Sequence, residues 1–152
     1  MTESAATGAG RMAPEIDDLT RPYWESAGRG QLSLQWCAHC RRFIHAPMIR
    51  CPQCHSGEQL EWRTVSGHGT IYSRIVVHGS RIAGFRCGAP HLVAMIELDE
   101  QPRLFLVANV TDCASAEATI GVRVHVHFDD TVGGVTLPQF RLMRSSAGGL
   151  AH

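Results

Sequence analysis

Four cysteines constrain this chain more than any other feature: Cys37-Ala-His-Cys40 and Cys51-Pro-Gln-Cys54, with ten residues between the pairs. Two residues between cysteines form a tight knuckle that points both thiolates at one ion. Two such knuckles supply the tetrahedral set that zinc prefers. The ten intervening residues allow a turn-back that brings the knuckles face to face. A ribbon of about 25 residues buries too little apolar surface to fold alone, so metal binding contributes directly to its folding. Four thiolates also close the coordination shell and leave no place for a catalytic water. The expectation is one structural Zn2+ per chain, held by Cys37, Cys40, Cys51 and Cys54. Iron in an electron-transfer site has the same ligand set, but no sequence feature points to a redox partner or a second cofactor. His39, His45 and His55 flank the site and are not needed to complete it.

The rest of the chain gives this ribbon a larger companion. A chain of 152 residues suits one ordinary domain or a small module joined to a larger one. Its 14 basic residues, all arginine, are balanced by 14 acidic ones. Such a neutral chain has no electrostatic reason to seek polyphosphate, anionic lipid or nucleic acid. The absence of lysine excludes Schiff-base chemistry and a P-loop lysine. The N-terminal stretch has no apolar core of the kind a signal peptide needs, and the longest purely apolar runs, Leu92–Ile96 and Leu104–Ala108, are far short of a bilayer span. The expected location is the cytoplasm, where six cysteines read as metal ligands and free thiols rather than disulfides.

Residues 1–19 and 145–152 are expected to form disordered or flexible tails, 20–58 a helix plus zinc ribbon, and 59–144 a β-barrel. A short helix is expected at Thr20–Ala27, capped by Thr20 or Asp18, with Pro22 in its first turn and Gly28 and Gly30 ending it. Leu32, Leu34 and Trp36 alternate with Ser33 and Gln35, which predicts a strand entering the first knuckle. Beyond Leu60 the pattern is β throughout. Strands are expected at Trp62–Val65 continuing as Thr70–His78, then at His91–Asp99, Arg103–Val110, Val122–Phe128 and Val135–Leu142. Gly67 and Gly69 mark a bend or bulge in the first of these. Glu100-Gln101-Pro102 and Asp129–Gly134 read as hairpin connections, and Ala114–Ala118 as one helical turn. Five strands, the first long and bent, with a helical turn between the third and fourth, is the order of an OB-fold barrel. Pro138 inside the last strand requires an edge or a bulge. The fold class is therefore mainly β: an N-terminal helix and a rubredoxin-like four-cysteine ribbon, followed by a five-stranded OB-fold.

Other chemistry is thinly represented. His125 and His127 share one face of a strand, and the pattern predicts a solvated or interface face there rather than a second metal site. Cys87 lies in a glycine-rich loop with no base identifiable as its partner, and Cys113 reads as an ordinary thiol. No catalytic residue is assigned. More informative are two strands that are apolar on both faces. Val93 and Met95 lie opposite the core-facing residues of one, Phe105 and Val107 opposite those of the next. A barrel buries one face of each strand, so the other needs a cover. With Tyr23 and Trp24 on the short helix, these residues form the candidate partner-binding surface.

In combination the motifs resemble a family of zinc-ribbon/OB-fold proteins, a former domain of unknown function linked to acyl-CoA metabolism. The residues that carry the resemblance are Pro22–Leu32 (PYWESAGRGQL), Trp36–Cys54 (WCAHC…CPQC), Trp62–Ser73 (WRTVSGHGTIYS), Ala83–His91 (AGF…APH), Glu97–Leu104 (ELDEQPRL) and Val135–Arg141 (VTLPQFR). The likeness runs in order from Pro22 to Arg141, and all four cysteines are intact. It implies a non-catalytic accessory subunit of a thiolase-fold enzyme (thiolase, acyltransferase or side-chain aldolase) or of a MaoC-type hydratase. Acyl-CoA at the shared interface, lipid or steroid metabolism, and a hetero- or homo-oligomeric assembly go with that reading. The alternative function is a single-stranded nucleic-acid-binding ribbon/OB module. Such grooves combine basic residues with exposed stacking aromatics, a combination for which this neutral chain is poorly equipped.

Overall fold

The computed structural model describes residues 13–78 and 90–143. Cys87, most of the Ala83–His91 loop, and the tails 1–12 and 144–152 lie outside the described residues. The element order is one helix followed by eight strands.

Helix α1 spans Arg21–Gly28. Neither expected cap operates, because Thr20 at the N-cap makes no side-chain capping bond. Instead the Asp17 carboxylate accepts hydrogen bonds from the Thr20 backbone N–H (2.7 Å) and hydroxyl (2.6 Å). The turn is thus fixed one residue ahead of the expected Asp18, inside the segment assigned to the tail. At the other end Gly30, at φ +72°, lets Gln31 N–H donate to Ser26 C=O and Gly30 N–H to Ala27 C=O. That left-handed residue is why glycine stands there.

Strand β1 (Ser33–Cys37) is the centre of a three-stranded antiparallel sheet, between β2 (Arg42–Ile44) and β3 (Leu60–Thr64). Both faces of β1 are covered: Leu34 is fully buried, and Ser33 and Gln35, read from sequence as the polar face, are buried too. A closed barrel of five strands follows. It comprises β4 (His68–Val77), β5 (His91–Leu98), β6 (Phe105–Val110), β7 (Arg123–Val132) and β8 (Val135–Leu142), in the order β4-β5-β6-β8-β7. The long first strand expected from Trp62 onward is therefore two strands in two sheets. The break is at Gly67, where φ is +73° and a Cβ would lie 2.2 Å from Val126 Cγ1. At Gly69 a Cβ would come within 2.5 Å of the Glu97 carbonyl. Only glycine lets the chain pass this close to its neighbours while changing sheets.

The β7–β8 turn is tighter than expected, because β7 runs on to Val132 and only Gly133 and Gly134, both at positive φ, make the connection. Paired positive φ values are what a two-residue turn needs to match strand twist. Pro138 sits in register with Phe128, next to a bulge between Phe128 and Asp130. On its other side β8 meets β6 at the single bridge Val110–Phe140, so the missing N–H is tolerated. Ala114–Ala118 forms a hydrogen-bonded turn through Glu117 N–H and Ala114 C=O, not a helical element. The barrel interior is a continuous apolar cluster that includes Ile71, Leu92, Ile96, Leu106, Val124 and Phe140, and Leu32 and Leu34 join it from the ribbon side. Among the described residues no helix is long and apolar enough to cross a membrane.

Candidate metal centre and the surfaces around it

The ribbon sheet presents its two knuckles to each other at the end of β1 and in the loop after β2. The Sγ atoms of Cys37, Cys40, Cys51 and Cys54 all lie within 4.8 Å of one another. Cys37 and Cys54 are 3.7 Å apart at sulfur, and Cys40 and Cys51 are 3.8 Å apart. Four sulfurs bound tetrahedrally at about 2.3 Å from an ion would be separated by about 3.8 Å, so the cage fits a thiolate-bound metal. Backbone N–H groups support it: Cys40 N–H points at Cys37 Sγ and Gln53 N–H at Cys51 Sγ, each at 3.4 Å. Such donors favour sulfur in its anionic, metal-binding form. Burial pushes the Cys40 thiol up to about 12, and the neighbouring sulfurs add to the rise. Burial also acts on Cys51, but backbone N–H groups of Cys54 and Gln53 outweigh it and bring that thiol down to about 7. A bound dication would displace thiol protons here, because the metal ligands must be thiolates. Among the described residues this is the one group of three or more His, Cys, Asp or Glu side chains arranged to hold an ion.

Two glutamines, missed by the sequence reading, hold the cage in place. Gln35 Nε2 donates to Met48 C=O and Gln35 Oε1 accepts from Met48 N–H, both at 2.9 Å, which pins the loop between the knuckles to β1. Gln101, at the tip of the β5–β6 hairpin, accepts from Phe43 N–H at 2.8 Å and donates to Phe43 C=O at 3.4 Å. Each amide thus imitates a strand partner. The signal for Gln35 is its place in an otherwise enclosed strand; Gln101 gave none, since a hairpin tip is ordinarily solvated.

The candidate partner-binding residues gather partly into one place. Tyr23 and Trp24 pack edge to face with centroids 4.9 Å apart. They line a cavity of about 290 Å³ together with Val93 and Val107 of the barrel's outer face. Tyr23 also packs against the main core, and burial pushes its hydroxyl up to about 12. Val107 is 61% exposed. Met95 and Phe105 are half-buried nearby, and Phe105 meets Tyr72 at 4.7 Å. Tyr72 and Ile75 extend the exposed apolar surface, a contribution the sequence reading missed. The irregularity between Ile71 and Ser73 shifts the alternation of β4, so Tyr72, Ser73 and Ile75 all end on the outside.

The histidine face departs from expectation. His127 is buried and shares a 2.7 Å hydrogen bond with the Thr111 hydroxyl; His125 is half-buried. Desolvation first, then the charges of His68, His127 and Arg141, hold His125 below its ordinary value. Cys113 lines an open cavity of about 710 Å³ beside His125, Glu117 and Arg141. Desolvation, then Glu117 and Asp112, push its thiol up, which disfavours a nucleophilic thiolate.

The fold and cage can be set beside known proteins. A model of the C-terminal OB-fold domain of ChsH2 matches residues 62–129. A "DUF35 domain-containing scaffold protein" of Methanothermobacter thermautotrophicus is 32% identical over 113 residues, covering 74% of this chain and 83% of that one. A chain in the solved structure of the Ltp2-ChsH2(DUF35) aldolase is 32% identical, with a TM-score of 0.75 and coverage of 86% of this chain and 98% of that one. This chain belongs to the DUF35 family. A "probable enoyl-CoA hydratase alpha subunit" of Thermomonospora curvata is 35% identical over 133 residues, 86% of this chain; the DUF35 chain described here spans 40% of that relative's length.

Proposed function

We propose that this DUF35 protein is a non-catalytic subunit of an acyl-CoA-processing complex that docks on a thiolase-fold enzyme, with Zn2+ bound by Cys37, Cys40, Cys51 and Cys54 in a purely structural role. The observation that carries the reading is its likeness, over 98% of that chain's length, to a chain in a structure named for an aldolase and its DUF35 component. The relative named as a hydratase subunit supports the same acyl-CoA context. The metal, with four thiolates around it, would supply folding energy to the ribbon and no open position for substrate.

The chemistry of the surface supports docking rather than catalysis. Among the described residues the cysteine outside the cage has its thiol raised, which disfavours a nucleophilic thiolate. The barrel's outer face instead offers Val107, Tyr72 and Ile75 to solvent, beside the Tyr23–Trp24 pair. Aromatic anchors with aliphatic surroundings usually carry much of the energy of a stable interface of about 1,200–2,000 Å². Docking here would leave the substrate chemistry to the partner and give this chain the task of shaping or steadying it.

The test is co-expression with a thiolase-fold enzyme from the same genome, followed by co-purification and assay of the partner on an acyl-CoA. The expected result is a stable hetero-oligomer that Val107→Glu weakens, with the partner more active inside the complex than alone. No complex at micromolar concentration, with a partner fully active alone, would overturn the reading.

A further inference from the structure

The barrel closes along a short antiparallel seam between β4 and β7, in which His68 faces His125, Gly69 faces Val124 and Thr70 faces Arg123. Val126 N–H donates to Gly67 C=O and Ile71 N–H to Val122 C=O, at either end of this seam. Those bonds make 67/126 and 71/122 hydrogen-bonded pairs, and the alternation leaves His68 and His125 as a non-hydrogen-bonded pair. In such pairs the side chains stand closest, with Cα atoms about 4.5 Å and Cβ atoms about 4.5–5.5 Å apart. Two imidazoles on one face at that spacing can both reach an ion at the ordinary metal–nitrogen distance of about 2.0–2.1 Å.

We propose that His68 and His125 form a second, two-histidine site for a borderline divalent transition metal such as zinc, nickel or copper, which staples the closing seam of the barrel. His68 is exposed, so its imidazole can turn toward His125. The nearby cations do not oppose a dication at full strength, because Arg123 is held by Asp99 and Arg141 by Asp112. Asp99 stands beside His68, where its backbone N–H donates to His68 C=O at 3.1 Å. Its carboxylate stays with Arg123, and water completes the shell of a metal held by the two imidazoles. His127 is excluded, being buried and bonded to Thr111. Imidazole nitrogen suits zinc, nickel and copper, whereas the cysteine cage is a closed thiolate site, so the two sites differ in ligand and in exchange rate. A metal on both strands of the seam binds only the folded barrel and stabilises it by mass action.

The test titrates the full chain, already loaded with one equivalent of zinc, with Ni2+ alone. One further equivalent is expected, with a rise in the barrel's melting temperature. His68→Gln and His125→Gln should each weaken uptake about tenfold or more and abolish the thermal shift. His78→Gln, a change at another exposed histidine, should alter neither. Because His68 is on the surface, that variant is expected to fold normally, and an unchanged circular dichroism spectrum checks it. Failure to take up Ni2+ at millimolar concentration, or uptake that survives both substitutions, would overturn the proposal.

Discussion

The ribbon and the barrel are both built from strands but are held together by different means. The barrel surrounds hydrocarbon, a cluster running from Leu32 to Phe140 that needs nothing beyond the chain itself. The ribbon's separate buried cluster consists of Cys37, Cys51 and Ile44, with Cys40, Cys54 and Leu60 packed against it. Its core is therefore largely the ligand cage. A cage of four small polar thiols offers little apolar surface of its own and is a poor hydrophobic core without an ion. The lesson is that stability in the two halves should respond to different perturbations, although Leu32 and Leu34 reach the barrel core and Gln101 is bonded to Phe43.

The largest expected effect is on the ribbon. Cys51→Ser removes one thiol from the proposed zinc site, and such a metal is worth on the order of 10 kcal/mol to a small zinc-held fold. Zinc content should fall well below one equivalent and soluble yield should drop, while the surviving protein keeps the barrel's β-type circular dichroism. Next comes the reverse experiment. Phe140→Ala, at a fully buried barrel position, should cost about 3–5 kcal/mol in denaturant unfolding and leave zinc affinity nearly unchanged. Smaller again is Gly67→Ala, where a positive φ and a clash with Val126 should cost about 1–3 kcal/mol, read as a lower melting temperature for the barrel. The smallest is Gln101→Leu, which removes a pair of hydrogen bonds at about 1 kcal/mol and should leave both halves folded. Its signature is faster exchange at the Phe43 amide.

The sequence made the cage and the barrel legible for good physical reasons. Ligand spacing is local, and alternation along β5 is regular, so the cysteine pairs and that strand could be read directly. What escaped notice depended on contacts distant in sequence. Gln35 is buried because the Met48 loop folds over it, and Gln101 is half-buried and bonded because β2 lies alongside the hairpin. His127 is buried because Thr111 reaches it. Ile75 was missed because a bulge reverses the alternation that periodicity relies on. Gly67 and Gly69 were read as a bend; that they mark a change of sheet follows only from what Val126 and Glu97 occupy.

Hydrogen exchange on the protein before and after removal of its metal by a chelator tests the contrast between the halves most directly. Without metal, amides from Cys37 to Leu60 should lose protection, while those of β5, β6 and β8 keep theirs, because the barrel's core contains no ligand. Protection that persists across Cys37–Leu60 in metal-free protein, or that collapses in the barrel at the same step, would contradict the account.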